Sequence, residues 1–281
     1  MLRCVFCPCL PLVEMVWRYS ASLPEIRSRM NNHFSIVIIC KNEEAAIERV
    51  LQSVAGLTDD VLVYDNGSTD NTLEILKRYN VRIHQGQWLG YGKTKKLAVD
   101  LAKYDWVLSI DADEAPDKEL QASLRNLSFT DANTVYQFEF KNLLGEKHLR
   151  WGEWGKDRHI RLFNRKVVNW NEASVHESLN IPSSAVVKNL PGAILHRTMN
   201  DMVEYSQKMV RYALLNAEKY FEQGKKSSRA KRYFSPLFSF FKHYVFKLGF
   251  LDGWEGLVSA RMTAYYTFIK YARLYELWKG K

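Results

Sequence analysis

From Phe34 onward, short apolar runs alternate with longer amphipathic segments. "FSIVIIC" (34–40), "DVLVYD" (60–65), "VRIHQ" (81–85) and "WVLSIDAD" (106–113) are compact and rich in β-branched residues, and they read as strands. "EEAAIERVLQSVAG" (43–56), "NGSTDNTLEILKRY" (66–79) and "KTKKLAVDLAK" (93–103) place apolar residues at helical spacing between them. Gly56 closes the first helix, and Asn71 with Glu74 has the spacing of a cap and its N3 partner. Strands alternating with helices predict βαβ units, hence an α/β fold with a mostly parallel, Rossmann-like central sheet. Ligands bind such sheets beyond the carboxyl ends of the strands, where Asn42, Asp65, Gly86 and Asp113 fall.

After Pro116 the rhythm changes. "TVYQFEF" (134–140), "HIRLFN" (159–164) and "SAVVKN" (184–189) follow one another without long helices between them, which predicts a mixed or antiparallel portion. Residues 200–224 form an amphipathic helix, with Met202, Met209, Val210, Ala213, Leu214, Ala217 and Phe221 on its apolar face and Gly224 at its end. "QGKKSSRAKR" (223–232) reads as a linker. The expected organisation is a leader over residues 1–29, a catalytic domain over 30–224, and a basic, aromatic helical region over 225–281.

Charge sharpens that division. Residues 225–281 hold twelve Lys/Arg against three Asp/Glu and 15 of the 37 aromatic residues, so this last fifth of the chain carries the whole net charge of +9. A bias so local points to a partner and says little about fold. "YFSPLFSFFKHYVFKLGFLDGW" (233–254) is broken by Lys242, Lys247 and Asp252, and no run reaches the roughly 20 apolar residues of a spanning helix. Amphipathic helices lying on a membrane surface fit this composition. Cys4, Cys7 and Cys9 crowd the first nine residues without a second ligand cluster nearby, and Pro8, Pro11 and Glu14 spoil a signal peptide. The segment therefore reads as an unstructured leader upstream of a start at Met30, and the setting as cytoplasmic and reducing.

Chemistry concentrates in "WVLSIDADEAP" (106–116), a strand that ends in two acids. If strand geometry persists to its end, Asp111 and Asp113 share a face and repel unless a cation joins them or one takes a proton. Mg²⁺ or Mn²⁺ suits such oxygen ligands and commonly bridges one or two carboxylates to substrate phosphates. Asp-x-Asp alone is a weak motif, since acid pairs are also common in solvated loops. Here, however, "SIVIICKNEE", "VLVYDNGSTDNT", "WLGYGKTKKLA" and "WVLSIDADE" follow in order at the spacing of successive βα units.

That series resembles the family 2 glycosyltransferases of GT-A fold over roughly 34–200, and within them the lipopolysaccharide-core glucosyltransferase branch. The resemblance implies an inverting, metal-dependent transfer of a hexose, glucose first among them, from a UDP-type nucleotide sugar. The acceptor would be a lipopolysaccharide-core or lipid-linked saccharide at the inner membrane face. It places Asn42 and Glu43 of "CKNE" against the nucleoside and Asp65 or Asn66 on the base. Asp111 would lie near the ribose, Lys95 near the diphosphate, and Asp113 on the metal, with His196 as a further ligand. The base that deprotonates the acceptor hydroxyl is sought in "WGEWGKDRHIRLFNR" (151–165), where Asp157 matches the acid of the related pattern and Glu153 competes. A structural pairing of Asp157 with Arg158 or Arg161 is the plainer alternative. Lys96 receives no role.

Two other classes stay open at this point. A sugar-phosphate nucleotidyltransferase would begin with a Gly-rich loop carrying Arg and Lys, which "IICKNEEAA" lacks. A single-strand nucleic-acid-binding protein would use the basic aromatic tail but would leave the acidic sheet edge without a purpose. Nucleic acid is accordingly not an expected partner.

Overall fold

The computed structural model describes residues 33–155, 157–173, 177–199 and 201–280, so the leader and its three cysteines lie outside the described residues. Strands β1 (Ser35–Cys40), β2 (Val61–Asp65), β3 (Arg82–Gln85) and β4 (Trp106–Asp111) pair in the order β3-β2-β1-β4, all parallel. Helices α1 (Ile47–Val54), α2 (Thr72–Lys77) and α3 (Tyr91–Asp100) connect them. β1 is buried on both faces, as a central strand between helical layers must be, and this explains its unbroken apolar run. α1 buries Ile47, Val50, Leu51 and Val54, an i, i+3, i+4, i+7 stripe, and Gly56 takes φ +70° just beyond it.

The register sets the site. Cys40 lies opposite Asp65, and Ile39 lies opposite Asp111, so the acids at the ends of β2 and β4 come to one edge on either side of β1.

The second half of the sheet is mixed. β5 (Glu114–Pro116), α4 (Lys118–Arg125), β6 (Thr134–Leu144), β7 (Lys147–His148) and β8 (Asp157–Asn164) follow, with β9 (Asn169–Trp170) and β10 (Leu179–Asn180) forming a separate small pair. β11 (Val186–Met199) is longer than the apolar run "SAVVKN", because it continues past a bulge between Asn189 and Ala193. The sheet runs on as β4-β8-β6-β11-β5, antiparallel except for β6 with β11.

Helices α5 (Met202–Glu222), α6 (Arg229–Phe241) and α7 (Gly253–Lys279) complete the chain, with a π turn at Lys242–Phe246 and a 3-10 turn at Gly249–Asp252 before α7. Three local expectations need correcting. α5 buries Tyr205, Ala213 and Ala217, whereas Met202 and Leu214 are exposed, because the face is set by α7, whose Val258 packs with Tyr205 and Met199. Asn71 makes no side-chain cap; it donates to Glu44 Oε2 at 2.9 Å, and Asp70 Oδ1 accepts the Thr72 N–H at 3.0 Å instead. The linker stretch is short and tied down: Ser227 Oγ donates to the Tyr271 carbonyl and Trp278 Nε1 to the Lys225 carbonyl, both at 2.8 Å. Among the described residues, no helix is long and apolar enough to cross a membrane.

Candidate active site

β4 ends at Asp111, and the chain turns through Ala112 and Asp113 before β5. The strand geometry that would set both carboxylates on one face is therefore broken. Each acid meets its own cation instead. Asp111 lies 3.0 Å from Lys95 Nζ and 3.6 Å from Arg161, while Asp113 lies 3.2 Å from His196 Nε2.

Behind Asp111 lies a buried charge cluster. Lys95, 3% exposed, also contacts Glu177 at 2.9 Å and sits over the Trp170 ring at 4.7 Å. Arg161 pairs with Glu114 at 2.5 Å and packs on the Phe140 and Trp170 rings. Glu114 in turn accepts the Asp111 N–H at 3.0 Å. Burial works against the charge on Asp111, but Lys95 and Arg161 outweigh it and hold the carboxyl below its ordinary range. Glu114 goes the other way: burial pushes its carboxyl up against the pull of Arg161.

Asp113 and His196 form the outer pair. Burial opposes both charges, yet their mutual contact lowers the Asp113 carboxyl and raises the His196 imidazolium. His196 Nδ1 lies 2.9 Å from Asn142 Oδ1, an acceptor, so Nδ1 carries hydrogen and Nε2 faces the Asp113 oxygen. A bare lone pair against a carboxylate would be repulsive, so a proton or a cation belongs between them. Among the described residues no three His, Cys, Asp or Glu side chains converge as a metal cage. A carboxylate oxygen plus an imidazole nitrogen nevertheless fits an ion that draws its other ligands from water and phosphate.

Asn142, fully buried, is the hub that sequence reasoning missed. Its Nδ2 donates to the Trp154 carbonyl at 3.2 Å and lies 3.4 Å from Asp157 Oδ2, while its Oδ1 meets His196. It therefore links Asp157 to the Asp113–His196 pair. Asp157 pairs with His159 at 2.9 Å, whose hydrogen bond is the main reason its carboxyl is lowered. It does not pair with either arginine considered above: Arg158 donates to Asn189 and Arg161 to Glu114. Glu153 is drawn away from this group, 2.6 Å from His243 and 3.7 Å from Lys247 on the C-terminal π turn and the residue after it.

On the other flank, the loops after β1 and β2 are laced together. Asn42, at φ +56°, donates its N–H to Ser68 Oγ at 2.9 Å and accepts the Thr69 N–H at 2.7 Å. Glu43 donates its N–H to Thr72 Oγ1 at 2.8 Å, and burial followed by the Asp113 charge pushes its carboxyl up to about 7. Asp65 is fully buried and accepts the N–H groups of Gly67 and Ser68 at 3.1 and 3.2 Å, which makes it the keystone of its own turn. Asn66 donates to the Cys40 carbonyl at 3.1 Å, and its buried Oδ1 has no hydrogen-bond partner among the described residues.

The residues brought to one edge thus come from the ends of β1, β2 and β4, from β6, from β8 and from β11. A pattern described as "Glycosyl transferase family 2" matches residues 35–181. An uncharacterized glycosyltransferase of Rickettsia typhi is 31% identical to the chain, over 86% of this chain and 87% of its own length. The chain belongs to glycosyl transferase family 2. This transferase is also similar to the lipopolysaccharide core biosynthesis glycosyltransferase LpsC of Rhizobium meliloti, at 28% identity over 86% of this chain and 92% of that protein. Among solved structures, S. aureus TarS 1-349 in complex with UDP aligns at TM-score 0.42 and 16% identity, covering 89% and 92% of the two chains. Family membership makes the protein a glycosyltransferase with an α/β, GT-A architecture and sets aside the nucleotidyltransferase reading.

Proposed function

We propose that this glycosyltransferase is an inverting, divalent-metal-assisted hexosyltransferase that uses a UDP-sugar, with UDP-glucose the first donor to test. Its acceptor is a lipopolysaccharide-core or lipid-linked saccharide, in keeping with the LpsC relative, whose name places that protein in lipopolysaccharide core biosynthesis. The observation that carries the reading is the Asp113–His196 pair at the carboxyl edge, joined through Asn142 to Asp157.

In this reading Asn42, Glu43 and Asn66 line the nucleoside, and the unpaired Asn66 Oδ1 is the acceptor for a pyrimidine N–H. Asp65 shapes the turn that presents Asn66. Asp111 lies toward the ribose, and Lys95 acts by holding Asp111 in place, since its ammonium is already shared between two carboxylates. Asp113 and His196 would hold Mg²⁺ or Mn²⁺, which supplies positive charge for the departing diphosphate. Asp157 Oδ takes the proton of the acceptor hydroxyl; the acceptor oxygen so freed attacks the anomeric carbon, and the bond to the diphosphate breaks with its electron pair on phosphate oxygen. The lowered Asp157 carboxyl is ionised at neutral pH, as a base must be. Glu153, committed to His243 and Lys247, is the weaker choice.

The C-terminal region attaches the enzyme to the cytoplasmic side of the inner membrane without crossing it. Tyr233, Phe234, Leu237, Phe238 and Phe241 share one exposed face of α6, and Phe246 and Trp254 beyond it are exposed as well, Phe246 by 73%. Lys242 and Lys247 adjoin these residues, a composition suited to anionic lipid. α7, by contrast, packs inward through Val258, so deleting residues 225–281 would damage the core. Phe234→Ser with Phe238→Ser should instead reduce flotation with anionic vesicles; unchanged flotation contradicts the attachment. The enzymatic reading is tested by a hydrolysis panel of nucleotide sugars with Mg²⁺ and Mn²⁺, where no turnover of any UDP-sugar would refute it.

A further inference from the structure

His148, Arg150 and Trp151 wall a cleft of about 550 Å³ against β6 and β8, and the same three residues, with Lys147, Leu251 and Asp252, line an adjoining hollow of about 320 Å³. None of these residues takes part in the chemistry described above. The wall is built by tying two parts of the chain together. Leu149 N–H donates to the Asn142 carbonyl at 2.9 Å, Trp151 N–H to the Asp252 carboxylate at 2.8 Å, and Gly152 N–H to the Lys247 carbonyl at 3.0 Å. The cleft is thus held between the catalytic sheet and the C-terminal turn.

Its charges do not cancel. Lys141 is answered by Asp117 at 3.0 Å, and Arg158 faces Glu139 in the β6–β8 register. The remaining acid of the lining, Asp252, is buried and occupied by the Trp151 N–H. Arg150 and Lys147 are exposed and have no carboxylate at ion-pair distance among the described residues. The local field is felt by His148, whose imidazolium is disfavoured first by burial and then by Arg150 and Lys141. An anion entering here would meet a guanidinium and an ammonium that are otherwise solvated, beside the indole of Trp151.

The position gives the cleft its meaning. Phe140, which lines the larger cleft, is the register partner of Asp157, and Leu251, which lines the smaller hollow, is 53% exposed. We propose that these two adjoining hollows form an anion subsite, in which Arg150, common to both, and Lys147, in the smaller, hold a phosphate or carboxylate group borne by the saccharide acceptor or by a lipid headgroup next to it. The proposal rests on the reading of the chain as a transferase acting at a membrane surface.

The test uses the full-length protein with saturating UDP, so that the donor site is filled, and titrates inorganic phosphate by calorimetry. Arg150→Gln and Lys147→Gln should each weaken phosphate binding, by roughly tenfold for the guanidinium, and Arg150→Lys should lose less. Phosphate should also raise the pKa of His148 followed by NMR, because it offsets the neighbouring cations. Flotation with phosphatidylglycerol and phosphatidylcholine vesicles distinguishes the sources. Weakened phosphate binding with unchanged flotation assigns the group to the saccharide, and loss of both assigns it to the headgroup. Wild-type protein that does not bind phosphate, or binding that neither Gln variant weakens, overturns the proposal. Failure of UDP to bind any of the proteins would defeat the donor reading and leave the phosphate result to stand by itself.

Discussion

Replacing Lys95 by methionine removes one cation from the middle of the buried cluster and keeps nearly the same side-chain length. Glu177, with 18% side-chain exposure, loses the ammonium at 2.9 Å, and Asp111 is left with Arg161 at 3.6 Å. Breaking a buried pair by deleting one partner strands the other charge and costs about 3–5 kcal/mol. For a chain of this size that is a fall in Tm of roughly 6–20 °C. The neighbouring residue supplies the control. Lys96 contacts Glu172 at 2.8 Å, as close as Lys95 to Glu177, but the two side chains are 40% and 58% exposed. Lys96→Met should therefore leave the melting curve within experimental scatter. The assay is thermal and urea unfolding of wild type, Lys95→Met, Lys96→Met and Lys95→Met with Glu177→Gln. The double variant should recover part of the loss, since it no longer buries an unanswered Glu177. Equal melting of the two single variants would refute the reasoning that burial, and not contact distance, sets the value of these pairs.

Other outcomes follow from the site. Asp157→Asn should lower kcat by roughly 10²- to 10⁴-fold with UDP affinity nearly unchanged; near-normal kcat in a donor assay moves the base to Glu153. Asn142→Leu removes the partner that orients His196 and should weaken metal activation by roughly 10- to 100-fold, read from turnover against Mn²⁺ concentration, while an unchanged titration would deny Asn142 that role. Glu43, pushed up to about 7, holds a proton in the folded protein that the unfolded chain has already lost. Its contribution is complete below the unfolded value near 4.5 and is lost as pH rises through 7, so Glu43→Gln should match wild type near pH 4.5 and exceed it at pH 8 by at most about 3 kcal/mol. Urea titrations showing a pH-independent difference would contradict that assignment.

The parallel half of the fold was legible because its signals are local. β1, β2 and β4 announce themselves as β-branched runs, α1 as an apolar stripe, and their order places the polar strand ends on one edge. What escaped depended on partners distant in sequence. The buried face of α5 is chosen by α7, some fifty residues later, and small Ala213 and Ala217 serve close packing there better than the larger Met202 and Leu214. The pairing expected of Asp111 and Asp113 assumed a strand that in fact stops at the first acid. The family resemblance puts Lys95 near the diphosphate, but its contacts with Asp111, Glu177 and the Trp170 ring come from residues distant in sequence, so its burial had no local signal. Asn142 gave no signal at all: an asparagine inside a strand has no periodicity, and its importance comes from meeting Trp154, Asp157 and His196 in space.

The proposed metal-assisted transfer from a UDP-sugar rests on Asp113 and His196. It is tested most directly by UDP release from UDP-glucose and other UDP-sugars, measured for wild type and Asp113→Asn with Mn²⁺, with Mg²⁺ and with a chelator. Melting curves should show a folded variant, since Asp113 lies in a turn at the sheet edge and outside the apolar core. Turnover is expected for the wild type only with a divalent ion, with near-complete loss in the folded variant under every condition. Undiminished turnover by the metal-free wild type, or by Asp113→Asn, would contradict the metal role.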